Sequence, residues 1–232
     1  MSAMNNSSYA ELWRLVNEYE EDVKIIRRDK MIMLNYPKLF TMSVASSFEH
    51  KIKTLLSDFI QYPCGPISTT FPKIHVLSRK GGGKPLEDKM FAKLVGFENA
   101  GILVLDASKF YDLFGGQAFK DDVSTNFEIE KQRRILEEEG IIDKLVGLLG
   151  QDDRYDKDYA QHSDIRDRLL LCSFDNAEKA YLTLKMKRNR VAHDYMNGLS
   201  DSFEDIRNFY CDAILYVIGL EKAIENVTRL PV

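Results

Sequence analysis

The sequence is poor in cysteine, in long apolar runs and in net positive charge, and each shortage excludes a class of protein. Its three cysteines, Cys64, Cys172 and Cys211, are widely spaced and form no CxxC motif, so the pattern predicts neither a disulfide framework nor a zinc site. No apolar run approaches the roughly 18 residues that a membrane-spanning helix needs. The first residues have no basic flank and no apolar core, so no secretory signal is expected and the predicted location is the cytoplasm.

Net charge gives no support for nucleic-acid binding by the molecule as a whole. The chain of 232 residues carries −4 and has a pI near 5.7, whereas proteins that bind nucleic acid through bulk charge are basic. A nucleic-acid site would therefore need a local cluster of basic residues. The hydrophobic fraction of 44% is that of an ordinary globular protein with a substantial core.

Four segments show the three-and-four spacing of apolar residues that is typical of amphipathic helices. They run from Ser8 to Arg28, from Pro37 to before Pro63, from Asp175 into the 190s, and from Asp201 to Val227. Polar residues three positions apart indicate three of the helix starts: Ser8 and Glu11, Asp175 and Glu178, and Asp201 and Glu204. Such helices bury one face against each other, so the pattern predicts a helical fold in which the last two helices are antiparallel neighbours.

The middle of the chain shows a weaker pattern, because glycines and prolines interrupt it. Short helices are predicted around Leu86–Leu94 and Ala107–Phe114, whereas Gly101–Leu105 fits either a strand or a buried turn of helix. We interpret residues 1–232 as a single domain, in which residues 63–126 form an irregular insertion or elaboration between two helical halves.

Helical signal returns after this insertion. It extends from Phe127 to Leu149. The densely charged segment Gln151–Arg168 is interpreted as a solvated connector that leads into a helix ending near Cys172.

The third helical segment carries an arginine where its apolar stripe should continue. Arg188 occupies this position, within a stripe formed otherwise by Ala177, Tyr181, Leu184, Val191 and Tyr195. A guanidinium there is costly unless it is paired or faces a polar cleft, and such departures from a consistent pattern tend to mark function. The alternative is that Arg188 lies close enough to the helix end for its side chain to reach solvent.

His193 follows Arg188 by five residues, which places it about 140° further around a straight helix. The two side chains can meet one atom if the helix loosens before Gly198, or if two chains supply them across a dimer. Arginine and histidine together, with no metal-ligand spacing nearby, suit phosphoryl transfer on RNA. Arginine binds a phosphate bidentately and stabilises its developing charge, and histidine moves protons near neutral pH.

The sequence RNRVAH at 188–193 fits the R-x4–6-H motif of HEPN domains. Asp194 and Tyr195 extend it to R-x4-H-x-Y, which resembles the motif of HEPN toxins that are paired with minimal nucleotidyltransferase antitoxins. The segment Ser47–Lys53 resembles the early helix of several HEPN groups. The resemblance covers the second helix and the last sixty residues, and it says little about residues 63–150.

This resemblance implies an all-α, HEPN-like up-and-down helical bundle that dimerises and acts as a metal-independent endoribonuclease without a cofactor. Arg188 would bind the scissile phosphate, His193 would be the general acid or base, and Asn189 would orient one of them or the phosphate. Tyr195 would be a structural tyrosine or the hydroxyl that an antitoxin nucleotidylates. The products would be a 2′,3′-cyclic phosphate and a 5′-hydroxyl.

Neighbouring residues offer support for this site. Lys185, Lys187, Arg188 and Arg190 form a basic cluster that either contacts RNA phosphates or is an ordinary solvated helix face. Glu49 either pairs with the arginine or histidine of the motif or is a surface glutamate, which is the interpretation that the sequence favours. The implied partners are RNA (tRNA or mRNA), a second copy of the chain, and an antitoxin or defence-system protein.

Other candidate features are weaker. The loop Lys80–Pro85 lacks the GxxxxGK[ST] pattern and is interpreted as flexible, with contact between its cations (together with Arg79) and an RNA backbone as the alternative. Cys172 would be a nucleophile only beside a histidine. Two further classes of function stay open: a catalytically silent HEPN module that binds RNA, a nucleotide or a protein, and a purely structural dimerisation domain.

Overall fold

In the computed structural model, the described residues form helices and short connections, with no β-strand among them. The described residues are 30–61, 72–80, 82–95, 107–149, 156–194 and 200–228. Within them the helices are α1 Lys30–Gln61, α2 Pro72–Arg79, α3 Leu86–Val95, α4 Ser108–Phe114, α5 Gln117–Leu149, α6 Asp156–Leu171, α7 Phe174–His193 and α8 Phe203–Thr228. The predicted all-α class is confirmed. None of these described helices is both long enough and apolar enough to cross a membrane.

Helix α8 lies at the centre of this bundle. It packs against α1, α5 and α7, while α1 also packs on α7 and α5 on α6. Every residue from Ala213 to Glu221 is buried. A helix that is buried on all sides is a core helix. The buried surface of this part of α8 is therefore larger than the single apolar face that the sequence pattern predicts.

Gly219 allows α5 and α8 to approach closely. A Cβ atom at this position would lie 2.8 Å from the Val123 carbonyl oxygen and 3.1 Å from the Phe127 backbone nitrogen. Glycine inside a helix costs about 1 kcal/mol relative to alanine. The close packing of two backbones explains why the residue is tolerated in the middle of the most buried helix.

The starts of α7 and α8 are capped by residues other than the predicted pairs. The Ser173 hydroxyl accepts a hydrogen bond from the Asn176 amide at 3.2 Å. Ser202 and Asp205 bond each other's backbone amides at 3.1 and 2.9 Å. The prediction of Asp175/Glu178 and Asp201/Glu204 was therefore displaced by two residues and by one residue, because a spacing of three fits more than one pair of polar residues at each helix start.

The predicted connector Gln151–Arg168 is wrong over most of its length, since α6 already begins at Asp156. Two of its residues pair with acids on α5, where His162 Nδ1 lies 2.6 Å from Glu138 and Arg166 lies 2.9 Å from Glu139. A dense charge run therefore forms a helix here, because a neighbouring helix supplies the opposite charges.

Other boundaries also differ from those predicted. Helix α1 begins before Pro37, which lies inside it, and α5 begins ten residues before Phe127. The short helices α3 and α4 were predicted, but α2 was not. The described part of residues 63–126 is mainly helical rather than irregular. The predicted helix Ser8–Arg28 and the segment Gly101–Leu105 lie outside the described residues.

Candidate functional site

The C-terminal half of α7 brings Arg188 to the edge of the core. The predicted apolar stripe is buried at Ala177, Tyr181, Leu184 and Val191, so this face of α7 packs on α1 and α8. The Arg188 side chain on the same stripe is 27% exposed. The arginine therefore reaches the surface from a buried face, and it does so beside a carboxylate.

Glu49 on α1 is the centre of a charged cluster, which we call the Glu49 cluster: Glu49, Lys53, Lys185 and Arg188. Lys185 Nζ contacts Glu49 Oε2 directly. Arg188 Nη2 lies 3.5 Å from the same oxygen, and Lys53 Nζ lies 3.2 Å from the other carboxylate oxygen. The interpretation of Glu49 as a surface residue was wrong, because its side chain is only 15% exposed and is shared by three cations.

Helix α3 forms one wall of the Glu49 cluster. Asp88 lies 2.8 Å from Lys53. The Phe91 ring has Lys185 Nζ 4.8 Å and Lys53 Nζ 5.5 Å from its centroid, within the range of cation–π attraction. Lys53 had a sequence signal, since it stands four residues after Glu49 on one helix. No local pattern indicates Asp88 or Phe91, which come from another part of the chain.

Lys185 is an enclosed lysine. Burial lowers the pKa of its amine to about 7, and the Arg188 cation acts in the same direction. The Glu49 carboxylate in contact with it favours the charged form. The buried Lys185 amine thus pairs with Glu49 and helps to hold that carboxylate in place. This position does not fit the predicted role of Lys185 as a phosphate contact.

Arg188 is held by two partners on one end of its guanidinium. Nη1 donates to Asn189 Oδ1 at 3.0 Å, and Nη2 pairs with Glu49. Nε is buried and has no hydrogen-bond partner among the described residues. Asn189 therefore lies where an orienting residue would be needed, and Arg188 keeps donor capacity that the described chain does not use.

His193 and Arg190 are exposed at the end of α7 and make no side-chain ion pair or hydrogen bond to another described residue. The helix is regular through His193 and ends as the Asp194 amide donates to the Arg190 carbonyl at 2.8 Å. Arg188 and His193 thus stay on different faces of one helix, which leaves a second chain as the route by which they could meet. Tyr195 lies outside the described residues.

Lys187 serves the link between α7 and α8. Its amine lies 2.6 Å from both Asp201 carboxylate oxygens and 5.3 Å from the centroid of the Phe209 ring. Of the predicted basic cluster, Lys185 and Lys187 are therefore engaged by acids, whereas Arg190 is open to solvent. Among the described residues no group of three or more His, Cys, Asp or Glu side chains could hold a metal ion.

A second half-buried arginine, which sequence patterns do not indicate, lies on α6. Arg168 Nη2 contacts Asp212 and donates to the Asn208 carbonyl at 3.0 Å. Beside it is a cavity of about 550 Å³ whose lining includes Cys172. Burial, and then Asp212, raise the pKa of the Cys172 thiol to about 12, so this cysteine is not an activated nucleophile.

Fold and site together define a helical protein, over its described residues, in which cations cluster around one carboxylate and one of them, Arg188, is half-buried in the C-terminal half of a helix. No family model, no curated protein and no solved structure matches the chain. Its function is therefore inferred from the chemistry of these residues and from the family resemblance of their motif.

Proposed function

We propose that this protein is a metal-independent endoribonuclease of the HEPN type, in which two copies of the chain build a composite site. The observation that carries the proposal is the setting of Arg188. Glu49 and Asn189 fix its guanidinium at 3.5 and 3.0 Å while part of the side chain stays exposed. The two acids Glu49 and Asp88 face three cations, so positive charge is in surplus while Lys185 is protonated, and an anion is attracted.

The chemistry requires one phosphate contact and one proton carrier. Arg188 would bind the scissile phosphate, and His193 of the second copy would accept the proton of the RNA 2′-hydroxyl. The 2′-oxygen would attack phosphorus and form the cyclic phosphodiester as the bond to the 5′-oxygen breaks. The leaving 5′-oxygen would take a proton from a general acid, so that a 5′-hydroxyl results.

The proposal extends to the protein's setting. Its substrate would be tRNA or mRNA in the cytoplasm. An antitoxin or another protein of a defence system would restrain it, since an unrestrained ribonuclease harms its own cell. Arg190 would add a phosphate contact, and Tyr195 would act as a structural residue or as the target of the restraining partner.

The test is cleavage of cellular RNA and tRNA in EDTA by the wild type, Arg188→Ala and His193→Ala. His50→Ala, at an exposed histidine on α1, is the matched control. We expect cyclic phosphate ends from the wild type and the control, and at least a 100-fold loss in the other two, the order of effect seen when one transition-state donor is removed.

Coexpression of Arg188→Ala with His193→Ala tests whether the site is composite. A mixed dimer regains one intact site, so about one quarter of wild-type activity should return under random pairing. A site within one chain would regain none. Cleavage that survives in both single variants would contradict the assignment, and RNA binding by all forms without cleavage would favour the catalytically silent module.

A further inference from the structure

The segment of residues 72–95, which we call the α2–α3 arm, has a charge opposite to that of the protein. It contains six lysines or arginines and two acids, so it carries +4 within a chain of net charge −4. Its two helices are joined by the turn that contains Lys80 and Lys84. A local excess of this size in an acidic protein indicates a surface for a polyanion.

The unpaired cations of the arm lie at its turn. Lys73 is 4.0 Å from Asp112, and Lys89 donates to the Ser78 carbonyl at 3.3 Å. Arg79, Lys80 and Lys84, which we call the basic turn, are exposed and pair with no acid among the described residues.

The turn also has room for a backbone. A Cβ atom built at Gly82 or Gly83 meets nothing within 4 Å, and the Gly83 φ of 72° is one that residues with a side chain rarely adopt. A phosphate chain could therefore approach the turn without meeting protein atoms at these two positions.

The same arm borders the Glu49 cluster. From α3, Asp88 lies 2.8 Å from Lys53, and Phe91 lies beneath Lys185 at 4.8 Å. Lys84 precedes Asp88 by roughly one helical turn of chain. The basic turn and the wall of the candidate site are therefore adjacent parts of one short unit.

We propose that the basic turn binds the RNA backbone beside the cleavage site, at phosphates other than the one bound by Arg188. This inference rests on the proposed function and adds a substrate class to it: RNA strands that extend several nucleotides beyond the scissile bond. Contacts between lysine or arginine and phosphate add affinity without reading sequence, so the turn selects for strand length and not for bases.

The binding test uses a cleavage-dead protein, His193→Ala, with Arg79→Gln, Lys80→Gln and Lys84→Gln added. The matched control removes the same charge at three other exposed lysines, Lys109, Lys144 and Lys157. Anisotropy of a labelled 20-nucleotide RNA gives the Kd over a range of KCl concentrations.

We expect the basic-turn variant to bind at least tenfold more weakly at 0.1 M salt, with a salt slope lower by about 2, as loss of three single-strand phosphate contacts predicts. The control should stay within about twofold of the parent. An equal loss of RNA affinity in the basic-turn variant and the control variant would show that only the total charge matters, and it would overturn the proposal. Unchanged RNA affinity beside a lost affinity for polyglutamate would assign the turn to an acidic peptide instead.

Cleavage separates this proposal from the proposed function. In the protein with His193 intact, the basic-turn variant should lose about tenfold in kcat/KM on the 20-mer and stay unchanged on the dinucleotide UpA. If the wild type cuts neither substrate while RNA binding still depends on the basic turn, the proposed function is wrong and the RNA-binding role of the basic turn is supported. If the wild type cuts both and the variant is unaffected, the arm is wrong and the function stands.

Discussion

Arg168 and Arg188 are two half-buried arginines in opposite electrostatic surroundings. Each guanidinium has a buried Nε without a described hydrogen-bond partner and one carboxylate beside it. Asp212 serves Arg168, and three further acids line the same cavity: Asp164, Asp167 and Glu204. Glu49 instead serves Arg188 together with Lys53 and Lys185.

The difference shows that the ability of an arginine to bind an anion depends on how many other cations share its carboxylate partner. Arg168 lies among acids and donates to the Asn208 carbonyl on α8, so it connects α6 to α8. Burial raises the pKa of Asp212 although Arg168 opposes this effect, which indicates how costly that carboxylate is to enclose. Arg188 lies in a surplus of positive charge, where a phosphate lowers the local electrostatic energy.

The largest expected contrast is in catalysis. Lysine keeps the charge of arginine but loses its planar fork, so Arg188→Lys should reduce kcat/KM on a labelled 20-mer RNA by about 100-fold or more. Arg168→Lys should stay within about threefold, because its role is structural. Circular dichroism of both variants confirms that they are folded. A comparable loss in Arg168→Lys would break the distinction between the two arginines.

The next contrast is in stability. Glu49→Gln removes the carboxylate from three cations, one of them the enclosed Lys185, and should lower the free energy of unfolding by roughly 2–3 kcal/mol. Asp212→Asn leaves Arg168 with an amide oxygen and the Asn208 carbonyl, and it removes a charge that burial disfavours, so a loss below about 1 kcal/mol is expected. Urea unfolding at pH 7 measures both, and equal losses would contradict the argument.

The smallest contrast is in pH dependence. Burial lowers the Lys185 pKa from 10.5 to about 7, so the folded state disfavours its charged form. The penalty is complete below pH 7 and disappears as the pH rises toward 10.5, where the amine is neutral in both states. Burial alone would give the wild type about 4–5 kcal/mol over this range. Because Glu49 favours the charged amine and offsets part of that effect, we expect a gain on the order of 2 kcal/mol relative to Lys185→Met.

Unfolding by urea at several pH values measures that gain, with Lys144→Met as an exposed-lysine control for the substitution itself. A constant difference between the wild type and Lys185→Met would show that Glu49 fully offsets the effect of burial. In that case Lys185 would stay charged at neutral pH, and the surplus of positive charge at Arg188 would be larger than the lowered pKa of Lys185 implies.

Much of the helical framework could be predicted, because apolar periodicity is a local property. α7 and α8 were expected close to their observed positions, and Arg188 was recognised as a departure from the α7 stripe. The partners of that arginine could not be foreseen in the same way. Lys185 meets Glu49 across 136 positions of chain, and α3 adds Phe91 from a third segment. Local periodicity carries no information on such pairings, and a meeting of Arg188 with His193 depends on a second chain.

The start of α6 also shows that local sequence patterns carry no information on tertiary partners. A run rich in charge was interpreted as a connector, yet α5 supplies Glu138 and Glu139 as partners for His162 and Arg166. Whether such a run is solvated or helical depends on the element that lies beside it, which is a tertiary property.

The separation of 136 residues between Glu49 and Lys185 also sets a delay during protein synthesis. At about 5–20 residues per second, roughly 7–27 seconds pass between the addition of these two residues to the chain. Arg188 and the central helix α8 are made later still. A growing chain therefore has no assembled Glu49 cluster, and an RNA-cutting enzyme built in this way would spare the message from which it is being translated.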